Sequence, residues 1–541
     1  MSNESTKMWS GRFREPLNQQ FEAWQRSFPF DCRLLPQEIA ASKAYAKTIS
    51  AAGVLDPEEL ATMIDGLDGI EPPVAERGYR AVRGLYGEII QRSFKGKQRQ
   101  ITYDTLVKFP DGATVEQLAE AIGDKLVAKA GVEASVKWHL HQLKLKGIAE
   151  ISYTSSTAED IHHFVEHQLK KAIGTLALKL HTGRSRNEQI ATDMRLFVRD
   201  AIDATAKGLR AWALAMVELA ESAGEAVMPS YTHLQRAEPV LVAHWLLAYV
   251  AMIERDIARL ADARRRMNFC PLGSGAVAGA TLALDRAIAA EALGFSAPTP
   301  NSMDATSDRD FMLEFTQTLA TLGVHISRFA EELTIYSTAE FGFLDLPEAF
   351  STGSSAMPQK KNPDFTELIR GKSARLIGAA TTLVVLMKGL PLAYNKDLQE
   401  GQEPVFDAAD TARGILGILP AFTRSLKFNF ERMKTAATTG YLNAMAAATY
   451  LSNKGVPFRK AHEIVGNAVR LGLESGRELD AVPLAELQRL SAAFGEDFYV
   501  AIALEATLDC HDVVGGTARA RVRAALTEAR ERLSPAAGPQ L

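Results

Sequence analysis

The sequence predicts a mainly α protein, a central bundle of long helices carrying a small α/β insertion. Three observations predict it. Residues 241–267 read LVAHWLLAYVAMIERDIARLADARRRM, with apolar residues recurring at three and four and charges gathering toward the end. That is roughly 40 Å of helix at 1.5 Å per residue. Residues 310–336 and 365–388 repeat the pattern, and average helices are about half this length, so these run side by side in a bundle. Second, three polar loops separate the long patterns: 346–364 (LPEAFSTGSSAMPQKKNPD), 391–407 (PLAYNKDLQEGQEPVFD) and 229–239 (PSYTHLQRAEP). Third, residues 72–157 break the helical character with Gly78, Gly84, Gly87 and the basic run QRSFKGKQRQ.

Along the chain, Met1 to Ser10 is polar and lacks the apolar core of a signal peptide. Helical patterning precedes residue 72. Inside the insertion, residues 100–109 are strand-like, Thr114 to Gln117 forms a capping box that opens a helix, and residues 133–146 form a second helix stopped by Gly147. Residues 148–153 return to strand. Two helices followed by a strand give a winged-helix-like reading, with Trp138, His139, Lys144 and Lys146 as candidates to face phosphates. Acids interleave with these bases, which argues against nucleic acid and for a surface elaboration. From about Asn187 onward long helical patterns dominate. Residues 267–284 and 435–453 lack charge, but Pro271 and three glycines break the first, and Thr and Asn residues fill the second. Lipid satisfies neither, so both read as buried or loop segments of a soluble protein.

Composition narrows the class. The 541 residues are 47% apolar and 23% charged, an ordinary globular balance that excludes wholesale disorder and fibrous character. A net charge of −4 gives no global attraction to nucleic acid or anionic membrane. Cys32, Cys270 and Cys510 lie too far apart in sequence for a disulfide framework or a four-Cys zinc site, which fits a reduced, cytoplasmic protein.

The loop from Gly353 to Asp364, GSSAMPQKKNPD, sets two hydroxyls beside two ammonium groups. Serine alone is a poor base. Lys charge and backbone N–H groups lower the cost of its alkoxide and also bind a carboxylate. His163, Glu166 and His167 fit H-x-x-E-H, the inverted zinc-protease pattern. Five residues with two free positions recur by chance, however, and no third ligand stands out.

The loop closely resembles the GSSxMPxKxNP signature of the fumarase/aspartase superfamily, and its QKKNPD continuation resembles the argininosuccinate lyase family within it. Residues 179–187 (KLHTGRSRN), 231–237 (YTHLQRA), 271–279 (PLGSGAVAG), 301–311 (NSMDATSDRDF), 394–400 (YNKDLQE) and 512–517 (DVVGGT) agree independently. The resemblance covers 8–70 and 158–535 in the family's order. It implies a three-part fumarase/aspartase-like fold: an N-terminal helical domain at 1–185 interrupted by the 72–157 insertion, the bundle at 186–434, and a C-terminal helical domain at 435–541. It implies a homotetramer with shared active sites, no cofactor and no metal.

The implied reaction is reversible β-elimination of argininosuccinate to arginine and fumarate in arginine biosynthesis. By the same resemblance Ser354 is the base, Lys360 and Asn362 stabilise the aci-carboxylate, and His233 backed by Glu367 assists the proton path. Ser27, His162, Ser185, Arg186, Asn187, Thr232, Tyr394 and Gln399 contact substrate. Three positions depart from the family: Gln402 stands where Lys is usual, Glu188 where Asp is, and Glu238 where Gln is. A catalytically weak relative with a binding or structural role is the alternative, as is a lyase whose insertion regulates it.

Overall fold

The computed structural model describes residues 17–70 and 158–534. The capping box, helix and strands expected within 72–157, and the winged-helix reading, lie outside the described residues. In chain order the principal elements are α1 (Leu35–Ala51), α2 (Pro57–Asp68), α3 (Ile161–Ile173), α4 (Arg186–Ala223), β1 (Val227–Thr232), β2 (Gln235–Leu241), α5 (Val242–Met267), α6 (Arg286–Ala292), α7 (Asp310–Tyr336), β3 (Thr352–Gly353), β4 (Lys361–Asn362), α8 (Asp364–Met387), α9 (Gln402–Arg424), α10 (Phe430–Thr438), α11 (Phe458–Ser475) and α12 (Arg519–Leu533). The protein is mainly α-helical, as the sequence predicts. The three long patterns become α5, α7 and α8 almost residue for residue. Residues 435–453 complete α10 and add a short helix, Ala444–Asn453, whose Ala446 to Ala448, Tyr450 and Leu451 are buried. Among the described residues no helix is long and apolar enough to cross a membrane.

The chain forms two compact units. Among the described residues, one holds 17–70, 158–197, 268–308 and 391–402; the other holds 198–267, 309–390 and 403–534. The 38-residue α4 passes from the first into the second.

In the first unit, α1 buries a stripe of Leu35, Glu38, Ala41, Ser42, Tyr45 and Ile49 and packs against α2, α3 and α6. A capping box starts α2: Asp56 accepts the N–H groups of Glu58 (2.9 Å) and Glu59 (2.8 Å), and Glu59 accepts that of Asp56 (3.2 Å). The 271–279 loop is organised by Arg286, whose guanidinium donates to the carbonyls of Leu272 (2.8 Å), Cys270 (3.1 Å) and Thr299 (2.9 Å) and to Ser274 Oγ (3.0 Å). One planar fork thus satisfies carbonyls that a glycine-rich loop cannot pair with itself.

In the second unit, α7 lies along α8 and also packs on α5. Gly323 permits the first contact, because a Cβ there would sit 3.3 Å from the Ser373 carbonyl. Trp212 of α4 is fully buried, edge-on to Phe329 of α7 at 5.6 Å, and its Nε1 donates to Thr423 Oγ1 at 3.2 Å. The C-terminal part has its own apolar cluster around Leu451, Ala461, Leu479, Leu487, Phe494 and Phe498.

Candidate active site

The first unit presents the turn from Arg184 to Asn187 at the start of α4. Ser185 Oγ accepts the Asn187 N–H (3.2 Å), and Glu188 Oε1 accepts the Ser185 N–H (3.0 Å). The second carboxylate oxygen of Glu188 accepts the Gly275 N–H (3.0 Å), while Asn187 Nδ2 donates to the Ala276 carbonyl (3.2 Å). Glu188 is fully buried, and burial pushes its carboxyl up against the pull of those N–H groups. It therefore clamps the turn to the 271–279 loop. Arg186 pairs with Asp160 at 3.0 Å. Arg184 stacks 5.3 Å over the Tyr45 ring and donates to Ser42 Oγ at 2.9 Å. Partly exposed N–H groups, two guanidiniums and the positive end of a very long helix suit a ligand with several carboxylates.

Ser27 and Gln399 adjoin the same region. The Ser27 N–H donates to the Glu159 carbonyl (3.0 Å), next to Asp160, and Gln399 Nε2 donates to the Gln25 carbonyl (3.1 Å). Tyr394 is half-buried in the segment that carries Gln399. Gln402 is 3% exposed, and its Oε1 has no hydrogen-bond partner among the described residues.

His162 lies inside the unit, 3% exposed, with Nδ1 3.1 Å from Glu38 and 3.6 Å from Asp193, which are themselves 1% and 0% exposed. Burial pulls the imidazole's pKa down, but the Glu38 carboxylate outweighs it and raises the pKa. Burial likewise pushes Glu38 up, and His162 more than reverses it. Burial and the Glu38 charge both raise Asp193. The three groups therefore shift one another, His162 toward its charged form and Asp193 toward its neutral one. The H-x-x-E-H residues go to separate partners: His163 Nδ1 accepts the Glu159 N–H at 3.4 Å, Glu166 faces His181 at 3.6 Å, and His167 is exposed.

Burial, reinforced by Arg184, lowers the His181 pKa to about 3. Folded His181 then binds fewer protons than unfolded His181 between about pH 3 and 6.5, so stability rises with pH across that window and is lost below it. His181→Gln should remove about 2 kcal/mol of the stability lost between pH 7 and pH 5. Denaturant unfolding of wild type and variant at both pH values checks this, and parallel losses in the two proteins would refute it.

The second unit presents two further features. Thr232 pairs with Gln235 across a two-residue turn, so β1 and β2 form a tight hairpin with His233 (φ 54°) and Leu234 (φ 56°) at its exposed tip. Both φ values are positive, the type I′ geometry that matches strand twist. Arg236 anchors the hairpin by donating to the Ala436 carbonyl (3.1 Å) and Thr439 Oγ1 (3.0 Å) at the end of α10. At its base Thr517 Oγ1 accepts the Leu241 N–H at 2.9 Å. Gly516 is required beside it, since a Cβ there would meet the His511 carbonyl at 2.1 Å.

The other feature is the signature loop. Strands β3 and β4 pair antiparallel, Thr352 with Asn362 and Gly353 with Lys361, and hold residues 354–360 as a protruding turn. Asp364 accepts the Thr352 N–H at 2.8 Å, and Thr352 holds this carboxyl below its usual range. Lys361 is tied to Asp345 and to the Leu346 carbonyl (2.8 Å). The Lys360 ammonium makes no hydrogen bond or ion pair with a described residue. Ser354 Oγ accepts the N–H groups of Ala356 (3.2 Å) and Met357 (3.0 Å). Glu367 is exposed on the first turn of α8. His233 and Glu367 form no ion pair or hydrogen bond with each other within the chain.

Residues 98–378 match a family model described as lyase, and residues 441–509 match the model for the argininosuccinate lyase C-terminal region. The first match opens within the 72–157 segment. The chain is 54% identical over 526 residues to the argininosuccinate lyase of Acidobacterium capsulatum, covering 97% of this chain and 94% of that one. The chain belongs to the argininosuccinate lyase family. The argininosuccinate lyases of Koribacter versatilis (49% identical; 97% of each chain) and Halorhodospira halophila (42%; 98% of each) are also similar. Among solved structures, an EDDS lyase variant with bound fumarate superposes with TM-score 0.68 at 23% identity, covering 92% of this chain and 86% of that one. A 3-carboxy-cis,cis-muconate lactonizing enzyme from Pseudomonas putida gives TM-score 0.63 at 18% identity, over 95% and 100%. Both likenesses show a shared fold.

The family pattern does not pick out Glu38, Asp193, Arg286 or the buried role of Glu188. Glu38 had a signal in the sequence. It sits in the middle of the apolar stripe of α1, where a carboxylate must find buried partners. Asp193 and Arg286 had none, because their partners come from distant segments.

Proposed function

We propose that this member of the argininosuccinate lyase family catalyses the reversible β-elimination of argininosuccinate to arginine and fumarate, as a cytoplasmic enzyme of arginine biosynthesis. The observation that carries the reading is the signature loop. Ser354 Oγ sits against two backbone N–H groups in a loop that ties Lys361 down and leaves Lys360 unengaged. Those N–H groups lower the cost of an alkoxide, so Ser354 can take the proton from the carbon beside a substrate carboxylate. Lys360 and Asn362 then stabilise the aci-carboxylate, which expels nitrogen as the C–N bond breaks. His233, backed by Glu367, serves the proton path to the leaving group. The substrate carboxylate is itself the electron sink, so this chemistry calls for no cofactor.

Ser27, Ser185, Arg186, Asn187, Thr232, Tyr394 and Gln399 hold the substrate in this reading. The reading includes a homotetramer with shared active sites, which fits two observations: His233 and Glu367 do not meet within one chain, and Leu368, Ile377, Val384 and Val385 leave apolar surface exposed along α8. The three-part domain division and the substrate role of the 184–187 turn belong to the same proposal. Fumarate release, followed by ultraviolet absorbance, tests it with argininosuccinate, adenylosuccinate and aspartate as substrates. Release from argininosuccinate alone is expected. No release from any of them by a folded oligomer would sink the enzyme reading and favour a binding or structural role.

A further inference from the structure

We propose that Glu38 is a positioning residue for the 184–187 turn, itself held by His162 Nδ1 at 3.1 Å. The inference rests on the lyase reading, in which that turn binds the substrate's carboxylates. Glu38 reaches the turn from both sides. Behind it, Glu38 Oε1 accepts from Ser42 Oγ at 2.7 Å, and Ser42 Oγ in turn accepts from Arg184 Nη1 at 2.9 Å, one residue before Ser185. Ahead of it, Gln189 Nε2 donates to Glu38 Oε1 at 3.1 Å, two residues after Asn187. The third donor is His162 Nδ1 of α3, at 3.1 Å.

All these groups are buried: Glu38 is 1%, Ser42 0% and Gln189 0% exposed. A carboxylate at such a place is stable only with a compensating cation and several donors. His162 supplies the charge, and the three donors converge on one acceptor that joins α1, α3 and the start of α4. Asp193, one turn beyond Gln189 on α4, lies within 4.8 Å of both His162 and Glu38 and closes the set from the far side. Glu188 fixes the turn against the 271–279 loop, and Glu38 holds it from the other side through Arg184 and Gln189, so both carboxylates bear on the direction of its N–H groups.

An amide in place of Glu38 keeps one acceptor oxygen: its NH2 either faces Ser42 and Gln189 and breaks both connections, or faces His162 and leaves them to a single, weaker neutral acceptor. In the test, Glu38→Gln and Ser42→Ala are purified beside wild type, and kcat, KM for argininosuccinate and thermal melting are measured. KM should rise about tenfold in Glu38→Gln and about threefold in Ser42→Ala, with kcat within about twofold, since the turn grips substrate and transition state alike. A merely structural carboxylate would change melting and the yield of folded protein but leave the KM of folded enzyme alone. If Glu38→Gln does not fold, the milder Ser42→Ala decides. Active wild type with unchanged KM in the folded variants overturns the inference alone. Wild type that releases no fumarate overturns the lyase reading and this inference with it.

Discussion

Ser354→Ala protein should release fumarate from argininosuccinate about a thousandfold more slowly than wild type if Ser354 is the base as proposed, the usual scale for loss of a positioned acid–base group. The substitution removes the oxygen against which the Ala356 and Met357 N–H groups are arranged. It leaves the loop's supports in place, because the β3–β4 pairing, the Thr352–Asp364 bond and the Lys361 contact with the Leu346 carbonyl do not involve Oγ. Circular dichroism and assembly should therefore match wild type. Steady-state absorbance at saturating substrate gives the ratio, and a loss below about tenfold would place the base on another residue.

Trp212→Ala should destabilise the second unit by about 3–5 kcal/mol, the range for removing a fully buried aromatic side chain. Two costs combine. A large cavity opens beside Phe329, where α4 meets α7, and Thr423 Oγ1, itself buried, loses the indole N–H. The flanking long helices are held by many other contacts, so the cavity has little room to close. Denaturant unfolding monitored by circular dichroism reads the effect, and a loss under about 1 kcal/mol would mean that neighbouring side chains refill the space.

The long helices were legible because they repeat one signal many times. α5, α7 and α8 each carry an apolar face through 24 to 27 residues, and chance does not sustain that period. The signature loop was legible by residue type, since Gly, Pro, Ser and Lys in that order restrict both backbone and chemistry. The β1–β2 hairpin was read only as a loop. Its turn residues are His233 and Leu234, whereas a type I′ turn ordinarily announces itself with Asn-Gly. The Glu38 brace was hidden for a different reason. His162 lies 124 positions from Glu38 in the chain, and no local pattern connects residues so far apart. His162 stood out in the sequence as a ligand contact, while the structure gives its ring a protein carboxylate as partner.

The hairpin tip has a further meaning for how this protein can be changed. Two residues with side chains occupy a backbone region that glycine or asparagine would enter more easily. Selection for thermal stability alone would rewrite that turn, and a designer ranking substitutions by stability would propose glycine there first. The imidazole would be lost in the same step. With His233 on the proton path as proposed, robustness and chemistry compete at position 233, and a campaign to harden this scaffold would hold His233 fixed and look for its gains elsewhere.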